Sequence, residues 1–442
     1  MDTTLSYHRP CGPPNGASTP MTSSAPVTDR PAILGGQPAI TLPHDDAMRW
    51  PILTNEDEDA VLRVMRTGQL GVSDETAALE QDFRAWSGRE YAVAHNNGTS
   101  AIFGAMHAFG IEPGDEVIVP SATWWSSVMP ILHFGGIPVF AELEGDCLGL
   151  DPEDVERRIT DRTKAIVVVH LFGMPSKMDE LIDLAQRYDL KILEDASHAH
   201  GAVYKGRPIG TMTDAAVFSM QGNKLLPTAE GGVFLCDDEE MYEAVIRLGH
   251  YERLLDLTSM NKYLAATGLG YKSRMSPLSA AIGRVQLRHL ADRNAIRNEN
   301  CIRLGRHLET LGCIQPFLAP DDIERTYFEY LIRYDESATG LPIDDFTRAL
   351  QAEGAELSAP RYPLLHQMPV FTHGIWRSIT RLADADERPD YDENDLPLTT
   401  EGNGSLIKLP AFPNEDHGLV DQYCSAFSKV LAHADELPRE QA

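Results

Sequence analysis

The chain has 442 residues, of which 43% are apolar and 24% are charged, and this is the composition of a large globular protein. Its formal net charge of −28 predicts repulsion from nucleic-acid phosphates and from anionic lipid surfaces. We therefore expect neither a nucleic-acid partner nor a membrane partner. No apolar run approaches the roughly 18 residues that a membrane-spanning helix needs, and we expect no signal segment at the N-terminus.

Six cysteines are scattered along the chain without a close Cys-x-x-Cys pair. This spacing is typical of reduced thiols in a cytoplasmic protein rather than of a disulfide framework. No cysteine and histidine pairing has the spacing of a zinc site, so we expect no metal. Residues 1–33 are rich in Pro, Ser, Thr and Gly, which predicts a disordered N-terminal extension.

The regular pattern of helices and strands begins after this extension. Helices are predicted at 55–67, 74–86, 126–134 and 178–188, with an apolar helix ending near residue 109. Strands are predicted at 91–95, 116–120, 138–142, 165–171, 191–194, 215–220 and 233–236. The strand at 165–171 is almost wholly apolar, which indicates burial on both faces. Strands that alternate with helices predict a mainly parallel α/β sheet.

One or two long helices are expected over residues 276–308, where they would connect the large domain to a smaller one. The smaller part is predicted to contain a strand at 327–334, a helix at 343–353, an acidic surface loop at 384–395 and an amphipathic terminal helix at 419–434. We therefore expect a large domain at 34–290 and a small C-terminal domain at 291–442.

Two polar residues follow apolar strands at positions that suggest a cofactor site. Lys224 lies in a small polar turn after the strand at 215–220, and Asp195 lies at the end of the strand at 191–194. Ligands of α/β proteins bind at this edge of the sheet. A lysine that forms a Schiff base with an aldehyde, and an acid that keeps a pyridine nitrogen protonated, are the pair that pyridoxal 5′-phosphate (PLP) requires. Alone, Asp195 is more typical of a helix cap, so the prediction rests on the pair.

Other residues near strand ends suggest contacts to the rest of the cofactor. Gly98-Thr99-Ser100 opens a helix, whose free N–H groups and dipole favour a phosphate, and the Ser219 hydroxyl is a donor for the same group. Trp124 follows a strand, where its ring either stacks on the cofactor or fills the core. His198 lies just beyond another strand end and is a candidate hydrogen-bond partner of the cofactor's phenolic oxygen.

Together these segments resemble the DegT–DnrJ–StrS family of PLP-dependent aminotransferases. The motifs that carry the resemblance are Asn97-Gly98-Thr99-Ser100, Pro120-Ser121-Ala122-Thr123-Trp124, Glu194-Asp195-Ala196-Ser197-His198, Phe218-Ser219 through Lys224 to Glu230-Gly231-Gly232, and Gly270-Tyr271-Lys272-Ser273-Arg274-Met275. The similarity covers roughly Leu34 to Ala434. Each motif is weakly specific by itself, but all of them in the same order form a strong signal.

The resemblance implies the aspartate-aminotransferase type of fold, fold type I. This fold has a large domain around a mainly parallel seven-stranded sheet and a smaller α+β C-terminal domain. It implies catalytic roles for Lys224, Asp195 and His198, and we place Gln221 among the cofactor-binding residues. It also implies a homodimer with each active site at the interface, where Lys272 would reach the cofactor phosphate of the other subunit.

Two positions depart from the family pattern, and other segments indicate which branch of the family the chain resembles. Ala229 stands where the family usually has Gly, and Lys272 where it usually has Asn; neither change removes a catalytic group. The presence of Lys224 argues against the family's dehydratase branch, which has histidine there. Ser219-Met220-Gln221 is similar to cyclitol aminotransferases, and Tyr362-Pro363-Leu364-Leu365-His366-Gln367 is similar both to these and to amino-hydroxybenzoate synthases.

The sequence therefore predicts transfer of an amino group from glutamate or glutamine to a cyclic ketone in aminocyclitol antibiotic biosynthesis. The ketone would be of the scyllo-inosose type or a validone-like C7 cyclitol, with or without phosphate. Two other enzyme functions stay open, namely amination of a nucleotide ketosugar and dehydration of a cyclic ketone to an amino-hydroxybenzoate. A PLP-binding regulator is disfavoured, because such regulators carry a basic DNA-binding segment.

Overall fold

The computed structural model describes residues 30–258, 269–380 and 391–439. Its helices are α1 (Asn55–Thr67), α2 (Asp74–Ser87), α3 (Gly98–Ala108), α4 (Met129–His133), α5 (Pro152–Arg158), α6 (Met178–Tyr188), α7 (Glu239–Gly249), α8 (Pro277–Glu309), α9 (Glu336–Thr339), α10 (Ile343–Ala352), α11 (Pro369–Thr372), α12 (Trp376–Thr380), α13 (Pro397–Gly404) and α14 (His417–Ala432). Its strands are β1 (Tyr91–His95), β2 (Glu116–Pro120), β3 (Ile137–Ala141), β4 (Thr163–Val169), β5 (Lys191–Asp195), β6 (Val203–Tyr204), β7 (Arg207–Pro208), β8 (Ala215–Ser219), β9 (Gly232–Cys236), β10 (Ile314–Gln315), β11 (Ile323–Glu324), β12 (Tyr330–Tyr334) and β13 (Leu406–Leu409).

Seven strands form a central sheet in the order β1-β9-β8-β5-β4-β2-β3. β9 pairs antiparallel with both of its neighbours, whereas every pair from β8 across to β3 is parallel. In β4 the four consecutive residues 166–169 are all buried. Because successive side chains of a strand point to opposite faces, this sheet is covered on both sides. The expected mainly parallel seven-stranded sheet of fold type I is confirmed.

The parallel strands bring their carboxyl ends to one edge of the sheet. Asp195 at the end of β5 lies opposite Val169 at the end of β4, and it pairs on its other side with Val217 of β8. β8 ends two residues later at Ser219, and Lys224 follows in the turn that leads to β9. Residues that are far apart in sequence therefore meet at this edge, as in other open α/β sheets.

A second core lies beneath the small sheet β10-β12-β13, between α8, α10 and α14. α8 is one continuous helix of 33 residues, about 50 Å long at a rise of 1.5 Å per residue. Leu290 of α8 packs in the core of the central sheet, whereas Leu304 packs in the second core. The helical segment expected over residues 276–308 is therefore one element that runs through both halves of the molecule.

The first described segment packs on the second core and not on the central sheet. Ile40 and Ala47 belong to the second core, and Leu34 packs against it. The division at residue 34 is therefore better drawn with residues 32–48 in the C-terminal half, and we propose this assignment. Of the expected disordered extension, residues 1–29 lie outside the described ranges, and its last residues begin a 3-10 turn at Ala32–Leu34.

Glu353, at the end of α10, holds this segment in place. Its carboxylate accepts hydrogen bonds from the main-chain N–H groups of Ala32 (2.7 Å) and Ala39 (2.8 Å). Lys429 of α14 donates to the same carboxylate over 3.0 Å and also to the carbonyl of Gln37. Because both members of the ion pair are buried, this cluster joins the N-terminal segment firmly to two helices of the small domain.

The observed elements differ from the predicted ones mainly at their ends. The strand expected at 327–334 begins only at Tyr330, and the helix expected at 126–134 is a 3-10 turn at Trp125–Ser127 followed by α4. The acidic loop expected at 384–395 lies mostly outside the described residues, because 381–390 are among the gaps. Among the described helices, none combines the length and the apolar content that a membrane crossing requires.

Candidate active site

A cleft of about 560 Å³ opens at the carboxyl edge of the central sheet. Its walls come from the start of α3, the loop after β2, the ends of β5 and β8, and the loop at 361–362 of the small domain. Most of the expected site residues line it, namely Gly98, Thr99, Trp124, Asp195, His198, Ser219, Gln221 and Lys224. The structure therefore brings together residues from segments spread over the whole N-terminal half of the chain.

The turn that carries Lys224 is held by main-chain hydrogen bonds. The Lys224 N–H donates to the carbonyl of Gln221 and the Gly222 N–H donates to the carbonyl of Ala229, each over 2.8 Å. The indole N–H of Trp50 donates to the Lys224 carbonyl over 3.1 Å. Ala229 has φ of 71°, in the left-handed region that costs a non-glycine residue roughly 1–2 kcal/mol. Ala229 thus adopts a backbone conformation that glycine would adopt at lower cost.

The Lys224 amine lies in an apolar and charged environment. Its Nζ is 4.5 Å from the centroid of the Phe328 ring. Burial lowers the pKa of Lys224 to about 8, the negative charge of Asp195 opposes this shift, and the positive charge of Arg361 adds to it. About a tenth of the amine is therefore unprotonated at pH 7, far more than for an ordinary lysine with a pKa of about 10.4, and the unprotonated amine is the nucleophile.

Hydroxyl groups from the segment after β2 support the polar residues of the cleft. Ser127 Oγ donates to Asp195 Oδ2 over 2.6 Å, and the Ser197 N–H donates to Oδ1 over 3.2 Å. The neighbouring Ser126 hydroxyl lies 2.8 Å from that of Thr99. The two hydrogen bonds from Ser127 and Ser197 hold the Asp195 carboxylate in a fixed position in the cleft.

The start of α3 lies tightly against the end of β8 and the beginning of β9. A Cβ on Gly98 would lie 2.7 Å from the Cβ of Ser219, and a Cβ on Gly232 would lie 2.7 Å from the carbonyl of Asn97. Asn97 caps α3 by accepting from the Ser100 N–H over 2.8 Å. This close approach places the Ser219 hydroxyl beside the first turn of a helix, where free N–H groups and the helix dipole favour an anion.

His198 is enclosed by aromatic rings, with the centroid of Phe328 at 4.2 Å. The Phe172 N–H donates to His198 Nδ1 over 3.3 Å, so the proton of the neutral ring is on Nε2, which donates to the Tyr362 hydroxyl over 3.1 Å. Burial, assisted by the charge of Lys224, lowers the pKa of His198 well below its usual range. Both ring nitrogens therefore have protein partners, and both His198 and Tyr362 line the cleft. The expected hydrogen bond from His198 to the cofactor stays a prediction.

Trp124 stands at the mouth of the cleft with 48% of its surface exposed. Its ring centroid lies 5.2 Å from that of Trp125 and 6.1 Å from that of Tyr362. Of the two interpretations left open by the sequence, core plug or stacking surface, this exposure favours a ring available to a flat ligand. The stacking role itself stays a prediction.

Ser100 and Lys272 do not line the cleft. The Ser100 main chain is engaged in the helix cap, and Lys272 is exposed with its Nζ 5.9 Å from the ring centroid of Tyr251. An exposed Lys272 side chain that does not line the cleft of its own chain is compatible with the expected contact to another subunit. That contact stays a prediction.

Several cleft residues were not singled out from the sequence. Ser126 and Ser127 follow the strand-end motif directly, so their position after β2 was an available signal. Tyr362 lay in a segment noted only for substrate similarity. Arg361 comes from a loop that is remote in sequence from the strand ends, and no local pattern marks it.

The residues of the cleft fit PLP. Asp195 would pair with the pyridinium nitrogen, the start of α3 with Ser219 would hold the phosphate, and Lys224 offers an amine with a lowered pKa. When bound, PLP supplies an aldehyde that condenses with amines and a protonated ring that accepts the electrons released when a Cα proton leaves. Asp195 would hold the ring nitrogen protonated, and the Lys224 amine would accept and return the Cα proton.

Comparisons with known proteins agree with this site. The model of the DegT/DnrJ/EryC1/StrS aminotransferase family matches residues 51–414. The L-glutamine:2-deoxy-scyllo-inosose aminotransferase of Streptoalloteichus tenebrarius is 32% identical over 421 residues, which cover 92% of this chain and 98% of that protein. The L-glutamine:scyllo-inosose aminotransferase of Streptomyces griseus is 33% identical, over 81% of this chain and 86% of that protein.

Among solved structures, S. venezuelae DesV in complex with a ketimine intermediate aligns with a TM-score of 0.74 and 31% identity. The alignment covers 85% of this chain and 94% of DesV. The family match spans most of the chain, and the cleft holds the lysine and the acid that PLP chemistry needs. The chain therefore belongs to the DegT/DnrJ/EryC1/StrS aminotransferase family and is a PLP-dependent aminotransferase of fold type I.

Proposed function

We propose that the protein transfers the amino group of L-glutamine to the keto group of a cyclitol of the scyllo-inosose type, in the biosynthesis of an aminocyclitol antibiotic. The observation that carries this proposal is the similarity, over most of the chain, to two proteins named as L-glutamine:inosose aminotransferases. Gln221, part of the segment that resembles cyclitol aminotransferases, lines the cleft beside Lys224 and supports the same substrate class.

The residues of the cleft serve both halves of such a transfer. Lys224 takes the Cα proton of the donor, and the donor leaves as a keto acid. The same amine then delivers a proton to the carbon of the ketone, which leaves as an amine, so the two half-reactions follow a ping-pong order. Asp195 favours the withdrawal of electrons in both directions, because its negative charge stabilises a protonated ring nitrogen. A homodimer and a cytoplasmic location belong to the same proposal.

The experiment that tests the proposal follows the transferred nitrogen. Purified protein with PLP is incubated with L-glutamine that carries a heavy nitrogen isotope in its α-amino group, or with equally labelled L-glutamate. The acceptors are scyllo-inosose, 2-deoxy-scyllo-inosose, a validone-like C7 ketone, its phosphate ester and a nucleotide ketosugar. We expect label in an aminocyclitol, with L-glutamine as the better donor, and mass spectrometry measures it.

The Lys224→Ala variant is the negative control, since it lacks the amine that moves the proton, and it should form no labelled product. Label found only in the nucleotide sugar would replace the cyclitol assignment with sugar amination. An ultraviolet-absorbing aromatic product would instead identify a dehydrating enzyme of the amino-hydroxybenzoate type.

A further inference from the structure

We infer that Arg361 binds the α-carboxylate of the amino donor and thereby sets the donor specificity of the cleft. This inference rests on the proposed function, because it takes the donor to be an α-amino acid such as L-glutamine. It assigns a role to the residue that directly precedes Tyr362 in the loop that the small domain contributes to the cleft.

The charges in the cleft leave few choices for a carboxylate partner. Among the described residues that line it, Lys224 and Arg361 are the lysine and arginine side chains, and His198 is neutral. Lys224 is the amine that reacts with PLP, so it is not available as a fixed anion site. An α-amino acid carries a carboxylate next to the reacting carbon, whereas a cyclitol ketone carries no charge. Arg361 is therefore the cation left to recognise the donor.

A buried charge cluster fixes the position of Arg361. Its Nε donates to Glu329, whose side chain is only 4% exposed, and the Nζ of Lys408 lies 3.2 Å from the same carboxylate oxygen. Two cations around one carboxylate leave a net positive charge. Arg361 is the more exposed of the two cations, at 39%, so the excess charge faces the cleft. Among the described hydrogen bonds Arg361 uses only Nε, which leaves the fork of its Nη groups for a carboxylate.

The location of Arg361 relative to Lys224 suits an α-amino acid, which bears its amino group and its carboxylate on one carbon. The Phe328 ring contacts both cations, with its centroid 4.5 Å from Lys224 Nζ and 5.8 Å from Arg361 Cζ. The charge of Arg361 also acts on the amine, since it contributes to the lowered pKa of Lys224. The two side chains are thus close neighbours in the cleft.

The first test measures binding without turnover. Glutaramate is L-glutamine without its amino group, so it cannot react, and glutaramide is its neutral counterpart. Calorimetric titration of the protein with bound PLP gives the dissociation constant of each. We expect the wild type to bind glutaramate more tightly than glutaramide. Arg361→Gln should raise the dissociation constant of glutaramate at least tenfold and leave that of glutaramide unchanged.

Two further variants separate charge from folding. Arg361→Lys keeps the charge and the ion pair with Glu329 but loses the planar fork. We therefore expect the dissociation constant of glutaramate to rise a few fold. Arg303→Gln makes the same chemical change in an exposed pair with Asp421, and it should match the wild type. If Arg361→Gln does not fold, the Arg361→Lys variant decides; the inference is overturned if that variant binds glutaramate with wild-type affinity.

The second test separates the two half-reactions. Single-turnover kinetics with L-glutamine should show a half-saturation concentration raised at least tenfold in Arg361→Gln, whereas the half-reaction with a neutral ketone should be unchanged. If Arg361→Gln instead slowed only the half-reaction with a phosphorylated ketone, Arg361 would be assigned to acceptor binding and the inference would be overturned. Failure of the proposed function looks different: the wild type itself would then take no nitrogen from L-glutamine, whatever residue stands at 361.

Discussion

At the scale of single residues, burial and neighbouring charges together set the pKa values of Lys224 and His198 in the cleft. Burial lowers the pKa of Lys224 to about 8, and the opposite charge of Asp195 limits this fall. His198, enclosed by aromatic rings, has a pKa well below its usual range. The result is an amine with a pKa of about 8 beside an imidazole that is neutral at physiological pH.

The lowered pKa of Lys224 predicts how PLP capture depends on pH. The unprotonated amine is the nucleophile, so the capture rate of the cofactor-free protein should rise with pH through a midpoint at about pH 8 and then level off. An unperturbed lysine would continue to gain rate towards a pKa of about 10.4. Stopped-flow absorbance of PLP measures the profile. In Asp195→Asn the midpoint should fall, because the carboxylate that raises the pKa is gone. A wild-type rate that still climbs at about pH 10 would contradict the assignment.

At the scale of elements, the anion site depends on how closely α3 approaches the central sheet. At Gly98 and Gly232 there is no space for a side chain between the first turn of α3 and the end of β8 or the beginning of β9. The helix therefore delivers its N-terminus at the place where the Ser219 hydroxyl is available. Neither element forms the site alone.

Gly98→Ala should weaken PLP binding, because the added Cβ would lie 2.7 Å from the Cβ of Ser219 and would push α3 away from β8. Overpacking typically costs about 1–3 kcal/mol, and about 1.4 kcal/mol corresponds to a tenfold change in affinity. We expect a tenfold or greater rise in the dissociation constant of PLP, measured by absorbance titration. Gly404→Ala is the matched control, since its added Cβ meets nothing within 4 Å. Equal affinities in the two variants would contradict the packing argument.

At the scale of the whole molecule, the N-terminal segment connects the small-domain core to the turn that carries Lys224. Residues 32–48 lie on the small-domain core, and Trp50 then reaches the turn of Lys224. α8 connects the same two regions from the other side, because one helix packs in both cores. The catalytic turn is thus supported by parts of the chain that belong to both halves.

The buried pair of Glu353 and Lys429 should contribute strongly to this arrangement. Glu353→Gln leaves the Lys429 ammonium buried without its counter-charge, and breaking a buried pair typically costs about 3–5 kcal/mol. Glu356→Gln removes an exposed carboxylate 3.9 Å from His44, and such pairs contribute about 1 kcal/mol or less. Denaturant unfolding measures both variants, and hydrogen exchange at Ala32 and Ala39 should accelerate only in the first. Equal losses would show that the cluster is not a structural anchor.

The sequence predicted the central sheet well because each of its strands is an apolar run between turn residues. The two-residue strands β6, β7, β10 and β11 are too short to show any periodicity. Asp195 and Lys224 were predictable because Asp195 ends a strand and Lys224 lies in the polar turn that follows one. The contact between His198 and Tyr362 was not, since it joins residues 164 positions apart and depends on how the small domain packs. The same holds for Arg361, whose partners in space are set by the tertiary structure.

The hydrogen bond from Trp50 to the Lys224 carbonyl gives the protein an optical probe of its own. The chain has five tryptophans, and Trp124 also lies at the cleft. Arg297 lies over the Trp50 indole, with its Cζ 4.3 Å from the ring centroid, so we expect the emission of Trp50 to be sensitive to movements of the lysine turn that it contacts. Intrinsic fluorescence can therefore follow cofactor loading without a label. Comparison with Trp50→Phe separates events at the lysine turn from those at the entrance.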